Sequence, residues 1–236
     1  MKINRSFALF LALFLAPLAF ALVFSPALCS PAVAASADGL IADAVDLLKN
    51  MSDQTDTDTM AGVVAEAEAI AVVPAMVKAG LIIGGEYGEG LILKKENGKW
   101  YGPSFYNMGG ASVGLQIGVQ KTAFLFVVNN KAGVDAFLRS KTKLGADATV
   151  AAGPVGRRAD AATDAQLKAS IYSYSMSKGL FAGVSLDGAV LSISVKRNKE
   201  YWGQDITADE AIKRPATDKR VLPLVREIEK LAKKAK

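Results

Sequence analysis

The 236-residue chain contains no histidine, and its single cysteine, Cys29, falls near the N-terminus. Without histidine a Ser-His-Asp triad is excluded. Any metal site would have to be built from carboxylates alone, which leaves no recognisable zinc or iron motif and no implied cofactor. Phosphate-cradling signatures are missing as well. The cluster Gly84-Gly85-Glu86-Tyr87-Gly88-Glu89-Gly90 is neither GxGxxG nor GxxxxGKS, and it runs into a strand pattern carrying two carboxylates that would repel phosphate. It reads as a turn. Ser175 and Lys178 have the S-x-x-K spacing of penicillin-recognising serine enzymes without the companion SDN or KTG motifs. Ser140 and Lys143 repeat that spacing, which marks it as chance. Glu66 and Glu68 cannot face one another on a helix. Glu86 and Glu89 flank the glycine turn without a defined separation. A hydrolase is therefore only the third reading, behind two binding functions.

Lys2 and Arg5 precede an apolar run from Phe7 to Phe24, broken only by Pro17, and Ala32-Val33-Ala34 forms a small-residue cleavage site before Ala35. This is the pattern of a secretory signal peptide over residues 1–34. A permanent anchor is the competing reading, since about 18 apolar residues can just span a bilayer. No stop-transfer charges follow, which favours cleavage. Lipidation of Cys29 is disfavoured by the bulky Leu28 before it. Cleavage removes Cys29, and a mature chain of about 200 residues can bury a core without disulfides. The expected location is the periplasm, or peripherally on a membrane of the cell envelope.

Net charge is +5, with 12 basic and 7 acidic residues beyond Val195 and a slightly acidic body before it. A basic tail allows attraction to an anionic surface without identifying it. Nucleic acid is not an expected partner of an exported chain whose core is not basic.

Helical periodicity at Leu40, Ile41, Ala44, Val45, Leu47 and Leu48 predicts a short amphipathic helix. The polar stretch 52–59 follows as a turn whose Asp and Thr residues cap a second helix carrying Met60, Val63, Val64 and Ala67. Its Asp53, Asp56 and Asp58 lack the glycine and closing glutamate of an EF-hand loop. Pro74 and Gly80 bracket a short crossing, after which the pattern becomes strand-like. Asn97-Gly98 and Asp187-Gly188 are the hairpin signals. Val113 to Gln120 alternates apolar residues with Gly and Gln, 122–128 is a buried central strand, and 148–152, 171–177, 182–186 and 189–195 supply further strands. Val134 to Leu138, Ala208 to Ile212 and Leu222 to Leu231 are helical. The predicted class is α+β: a twisted, largely antiparallel, Gly-rich sheet or partial barrel with helices at both ends. The predicted domains are the leader at 1–34, a central domain at 35–204 and a basic helical extension at 205–236.

Two aromatic groups stand out, Trp100 and Tyr101 with Phe105 and Tyr106, and Tyr201 with Trp202. Core packing and an exposed rim that contacts lipid or protein both remain open for them. Lys94, Lys95, Lys196 and Arg197 are candidates for phosphate headgroups.

The ordered segments VVPAMVKAGLIIGGEYGEGLI, GKWYGPSF, GGASVGLQIGVQ, LGADATVAAGPVGR and YSYSMSKGLFAGVSLDGAVL resemble the SYLF family, also called Ysc84-like, over roughly residues 38–204. The resemblance implies a non-enzymatic lipid-binding module, with membrane contact tied partly to an amphipathic N-terminal segment. By position that segment is Leu40, Ile41, Val45, Leu47 and Leu48. Its Asp38, Asp43 and Asp46 outnumber Lys49, unlike a basic membrane helix. The expected partner is a phospholipid or membrane surface, and the alternative is an envelope scaffold that binds a protein. Replacing Leu47 and Leu48 by Asp is expected to weaken association without unfolding the sheet.

Overall fold

The computed structural model describes residues 36–54, 57–80, 83–113, 118–155 and 168–235. The leader, Cys29, the stretch from Gly114 to Ile117 and residues 156–167 lie outside these, and with them the expectations that fall there. Residues 35–236 form one compact unit.

Helix α1 spans Ala37–Ser52, and Ser36 caps it by accepting a 3.0 Å bond from the Gly39 N–H. Helix α2, Asp58–Glu66, begins at Thr57, which makes no side-chain cap bond. The Thr57 hydroxyl donates back to the Gln54 carbonyl instead, so Thr57 is not the side-chain cap; residues 55 and 56 of the polar stretch lie outside the described residues.

Four long strands follow: β1 Ala69–Gly80, β2 Ile83–Glu96, β3 Lys99–Val113 and β4 Gly118–Val128. Helix α3 (Lys131–Leu138) leads to the short strands β5 (Lys141–Lys143) and β6 (Val150–Ala152). Then come β7 (Ile171–Ser177), β8 (Leu180–Gly183) and β9 (Val190–Ile193). Helices α4 (Val195–Trp202), α5 (Ala208–Ala211) and α6 (Leu222–Ala232) finish the chain. The strands make a single curled sheet in the order β5-β9-β3-β2-β1-β4-β7-β6, with β8 on β7. Every pairing is antiparallel except β6 with β7. The predicted α+β class with a curled, mostly antiparallel sheet is what the fold shows.

Several boundaries differ from the sequence reading. The segment from Pro74 to Gly80 is strand, not a crossing; the register slips between Val72 and Ala75, where Pro74 cannot donate to the ladder. The glycine cluster is strand as well. A Cβ on Gly90 would stand 2.5 Å from the Val72 carbonyl oxygen and 2.6 Å from the Tyr106 ring, so glycine there permits close packing within a strand. Asp187-Gly188 joins β8 to β9, which do not pair. The unforeseen two-residue hairpin turn is Lys178-Gly179, between β7 and β8. Residues 195–202 form helix α4, closed by Gly203 at φ 69°.

The sheet is apolar on both faces. On one, Ile70, Val72, Leu91, Leu93, Phe105 and Leu125 meet α1, α2 and α6 through Leu40, Leu48, Met60, Leu224 and Ile228. On the other, Val73, Ile92, Tyr106 and Phe126 meet α3 through Val134 and Phe137. The residues beyond 204 are thus no extension, because α6 completes the first core.

Candidate functional site

The amphipathic face of α1 is turned inward. Leu40, Ile41, Val45, Leu47 and Leu48 are 1–8% exposed and belong to the core under the helices. The face α1 turns to solvent carries Asp38, Asp43, Asp46 and Lys49. The expectation that these five residues contact a membrane from the folded domain, and that Leu47 and Leu48 can be replaced by Asp without unfolding it, is corrected accordingly.

The aromatic and basic candidates are dispersed. Trp100 is 7% exposed, with the Lys95 ammonium 6.0 Å from its ring centroid. Lys95 also donates to the Ala65 carbonyl at 3.0 Å, and Lys94 pairs with Glu96 at 3.0 Å. Tyr101 is half-buried and bridges to Pro215. Tyr201 packs against Phe105 and Trp202, with the Arg220 guanidinium 4.0 Å above its ring. Burial pushes the Tyr201 hydroxyl up to about 12. Trp202 donates to the Pro103 carbonyl at 3.1 Å and stacks with Arg214 at 4.9 Å. Lys196 is exposed, whereas Arg197 is 3% exposed. Its guanidinium grips Glu89 through Nε and Nη2, the latter at 2.9 Å, and Glu200 through Nη1 at 2.7 Å. Glu200 in turn accepts the Ala37 N–H, and the Arg197 bond holds its carboxyl below the usual range. Arg197 is a clamp that ties α4, β2 and the start of α1 together. Ser175 is buried inside β7 while Lys178 forms a turn, and Glu86 and Glu89 sit on opposite faces of β2. None of these pairs is assembled for hydrolysis.

What the sheet leaves uncovered is the surface just outside that clamp. Glu89 lies on the helix-covered face. Two residues further along β2, Tyr87 is 55% exposed on the same face, and its register partner Val77 on β1 is 42% exposed. Following the pairings sideways gives a row of one orientation: Lys143 on β5, Val190 on β9, Gly109 on β3, Tyr87, Val77 and Lys121 on β4. Lys143 and Lys121 are exposed at its two ends, and Val190 is half-buried. Tyr87 donates to the Asn107 Oδ1 at 3.1 Å, which holds the ring along the sheet. Its hydroxyl is raised above the ordinary tyrosine range by burial and then by the Glu89 charge. The row one step along the strands projects the other way and is polar, with Lys78, Glu86 and Gln120. At these two rows the sheet is thus amphipathic: Val190, Tyr87 and Val77 between Lys143 and Lys121 on one face, polar side chains on the other. Sequence reasoning passed over Tyr87 and Val77 because the glycine cluster read as a turn. The period-two spacing of Glu86, Gly88 and Gly90 against Tyr87 and Glu89 was the available signal.

The fold is thus a helix-backed, curled sheet with an exposed strip beside the helices. The family model described as "Ysc84: Las17-binding protein actin regulator" matches residues 109–231, and the chain belongs to this family. An SH3 domain-containing protein of Schizosaccharomyces pombe is 43% identical over 141 residues, covering 58% of this chain and 33% of the relative. LAS seventeen-binding protein 3 of Saccharomyces cerevisiae is 37% identical over 150 residues, covering 62% of this chain and 32% of the relative. SH3 domain-containing YSC84-like protein 1 of Mus musculus is 34% identical over 150 residues, covering 63% and 44% respectively. The chain therefore spans about a third of the length of the first two relatives.

Proposed function

We propose that this chain is a non-enzymatic domain that binds phospholipid membrane surfaces, acting in the bacterial cell envelope after export through the leader read at residues 1–34. The observation that carries the reading is the row Lys143–Val190–Gly109–Tyr87–Val77–Lys121. An aromatic with a polar tip suits the interface between headgroups and acyl chains. Lysines near an anionic leaflet add about 1 kcal/mol each. Apolar burial contributes roughly 0.025 kcal/mol per Å².

A protein partner on the same strip is the competing reading, supported by relatives named for binding a protein. The matched part covers only 32% of that relative, so the binding in its name can reside elsewhere in it. Co-sedimentation of residues 35–236 with vesicles of phosphatidylcholine, with and without phosphatidylglycerol, tests the proposal. Binding that strengthens with phosphatidylglycerol and weakens only partly with salt is expected. A protein that stays in the supernatant with every composition transfers the strip to a protein partner.

A further inference from the structure

The tightest unexplained local conformation lies at the tip of the β7–β8 hairpin. Lys178 and Gly179 have φ of 50° and 79°, so both central residues of this two-residue turn are left-handed. Such turns prefer Asn-Gly or Asp-Gly, because a side chain with a Cβ is disfavoured at positive φ. The chain uses the preferred pair elsewhere, with Asn97 and Gly98 at φ 50° and 72°. At the second hairpin it places lysine where Asn is the local optimum. It then adds Leu180, the most exposed large hydrophobic side chain among the described residues at 76%. Departures from local preference on both sides of Gly179 are what a functional or strained site shows.

The tip adjoins the end of the uncovered strip along the sheet, with Leu180 projecting from the face opposite to Met176 and Phe181, which pack on the helix-covered side. β7 runs antiparallel to β4, and the Ser177 hydroxyl donates to the Lys121 carbonyl at 3.4 Å. Lys121 is the end of the strip. The charged side chains of this tip and row, among the described residues, are Lys178, Lys121 and Lys143, all exposed and none in an ion pair of those residues. A bare leucine beside unpaired ammonium groups complements one surface well: hydrocarbon beneath a layer of phosphates.

We propose that the β7–β8 tip, Lys178-Gly179-Leu180, is a wedge that inserts Leu180 into an anionic phospholipid bilayer while Lys178 and Lys121 meet lipid phosphates. This rests on the membrane reading above and adds to it the inserting element. It also replaces α1 as the part that enters the bilayer.

Residues 35–236 contain no cysteine, so Leu180→Cys provides a unique site for an environment-sensitive fluorophore, and Asp43→Cys on the exposed face of α1 is the control. With vesicles containing phosphatidylglycerol, the probe at 180 is expected to shift to the blue and brighten severalfold, while the probe at 43 stays water-like. Leu180→Ser, which removes only an exposed side chain, is expected to weaken vesicle affinity by about tenfold or more. Lys178→Asn is expected to keep or raise thermal stability, by relieving the turn, while losing affinity for the anionic vesicles. If the protein pellets with vesicles but the probe at 180 remains water-like, the wedge is overturned and membrane binding stands. Equal insertion into phosphatidylcholine alone overturns the preference for an anionic bilayer. No pelleting with any vesicle removes the membrane reading and the wedge together.

Discussion

Arg197 shows how far a residue's role depends on its neighbours. In sequence it is one of several cations after the last strand; in the fold it is buried on Glu89 and Glu200. Removing one partner of such a pair leaves an uncompensated charge, so Arg197→Met is expected to cost about 3–5 kcal/mol in urea unfolding. Adding Glu89→Leu should recover most of that loss, and a single substitution costing under about 1 kcal/mol would show that the clamp is not structural. Leu48, 1% exposed, makes the same point for α1. Leu48→Asp buries a carboxylate in the core and is expected to destabilise by about 3 kcal/mol or more, seen as a lowered urea midpoint. Asp218 supplies a pH signature. Bonding to Arg220 lowers its carboxyl to about 2, so its contribution is complete above the ordinary aspartate value and disappears as pH falls towards 2. At 37% side-chain exposure this amounts to under about 1 kcal/mol. Asp218→Asn should flatten the stability profile between pH 4 and 2; a slope unchanged by the substitution contradicts the assignment.

Among the elements, those with a strong period and clear punctuation were legible. The α1 and α6 apolar stripes, the Asn97-Gly98 hairpin and the buried run of β4 all follow local rules that tertiary structure leaves intact. What was not legible depended on partners distant in sequence. The glycines of β2 signal a turn by themselves, whereas in the strand Val72 and Tyr106 pack where a Cβ of Gly90 would be, and Ala75 and Val73 where one of Gly88 would be. Gly90→Ala is therefore expected to destabilise by about 1–3 kcal/mol, measured by thermal or urea unfolding. Gly85, with open space at its Cβ, should accept alanine with little change. The same misreading hid the candidate site, because a turn has no faces and a strand has two. Likewise the helical period of α1 correctly gave an apolar stripe, but not that α6 and the sheet would cover it. A stripe of that kind reports burial, without saying whether protein or lipid does the burying.

At the scale of the molecule, α1, the sheet and α6 make one body among the described residues. α6 packs its Leu224, Val225, Ile228 and Leu231 into the core that α1 also enters, and the family match likewise extends to residue 231. With α1 held there, the proposed membrane contact falls to the uncovered sheet strip and the adjoining hairpin tip. The most direct measurement is vesicle binding by Val77→Ser/Tyr87→Ser beside the unaltered residues 35–236, with urea midpoints recorded for both. A midpoint close to the original with affinity for anionic vesicles reduced about tenfold or more is the predicted result. Full affinity in a folded double variant would contradict the assignment of membrane contact to this strip.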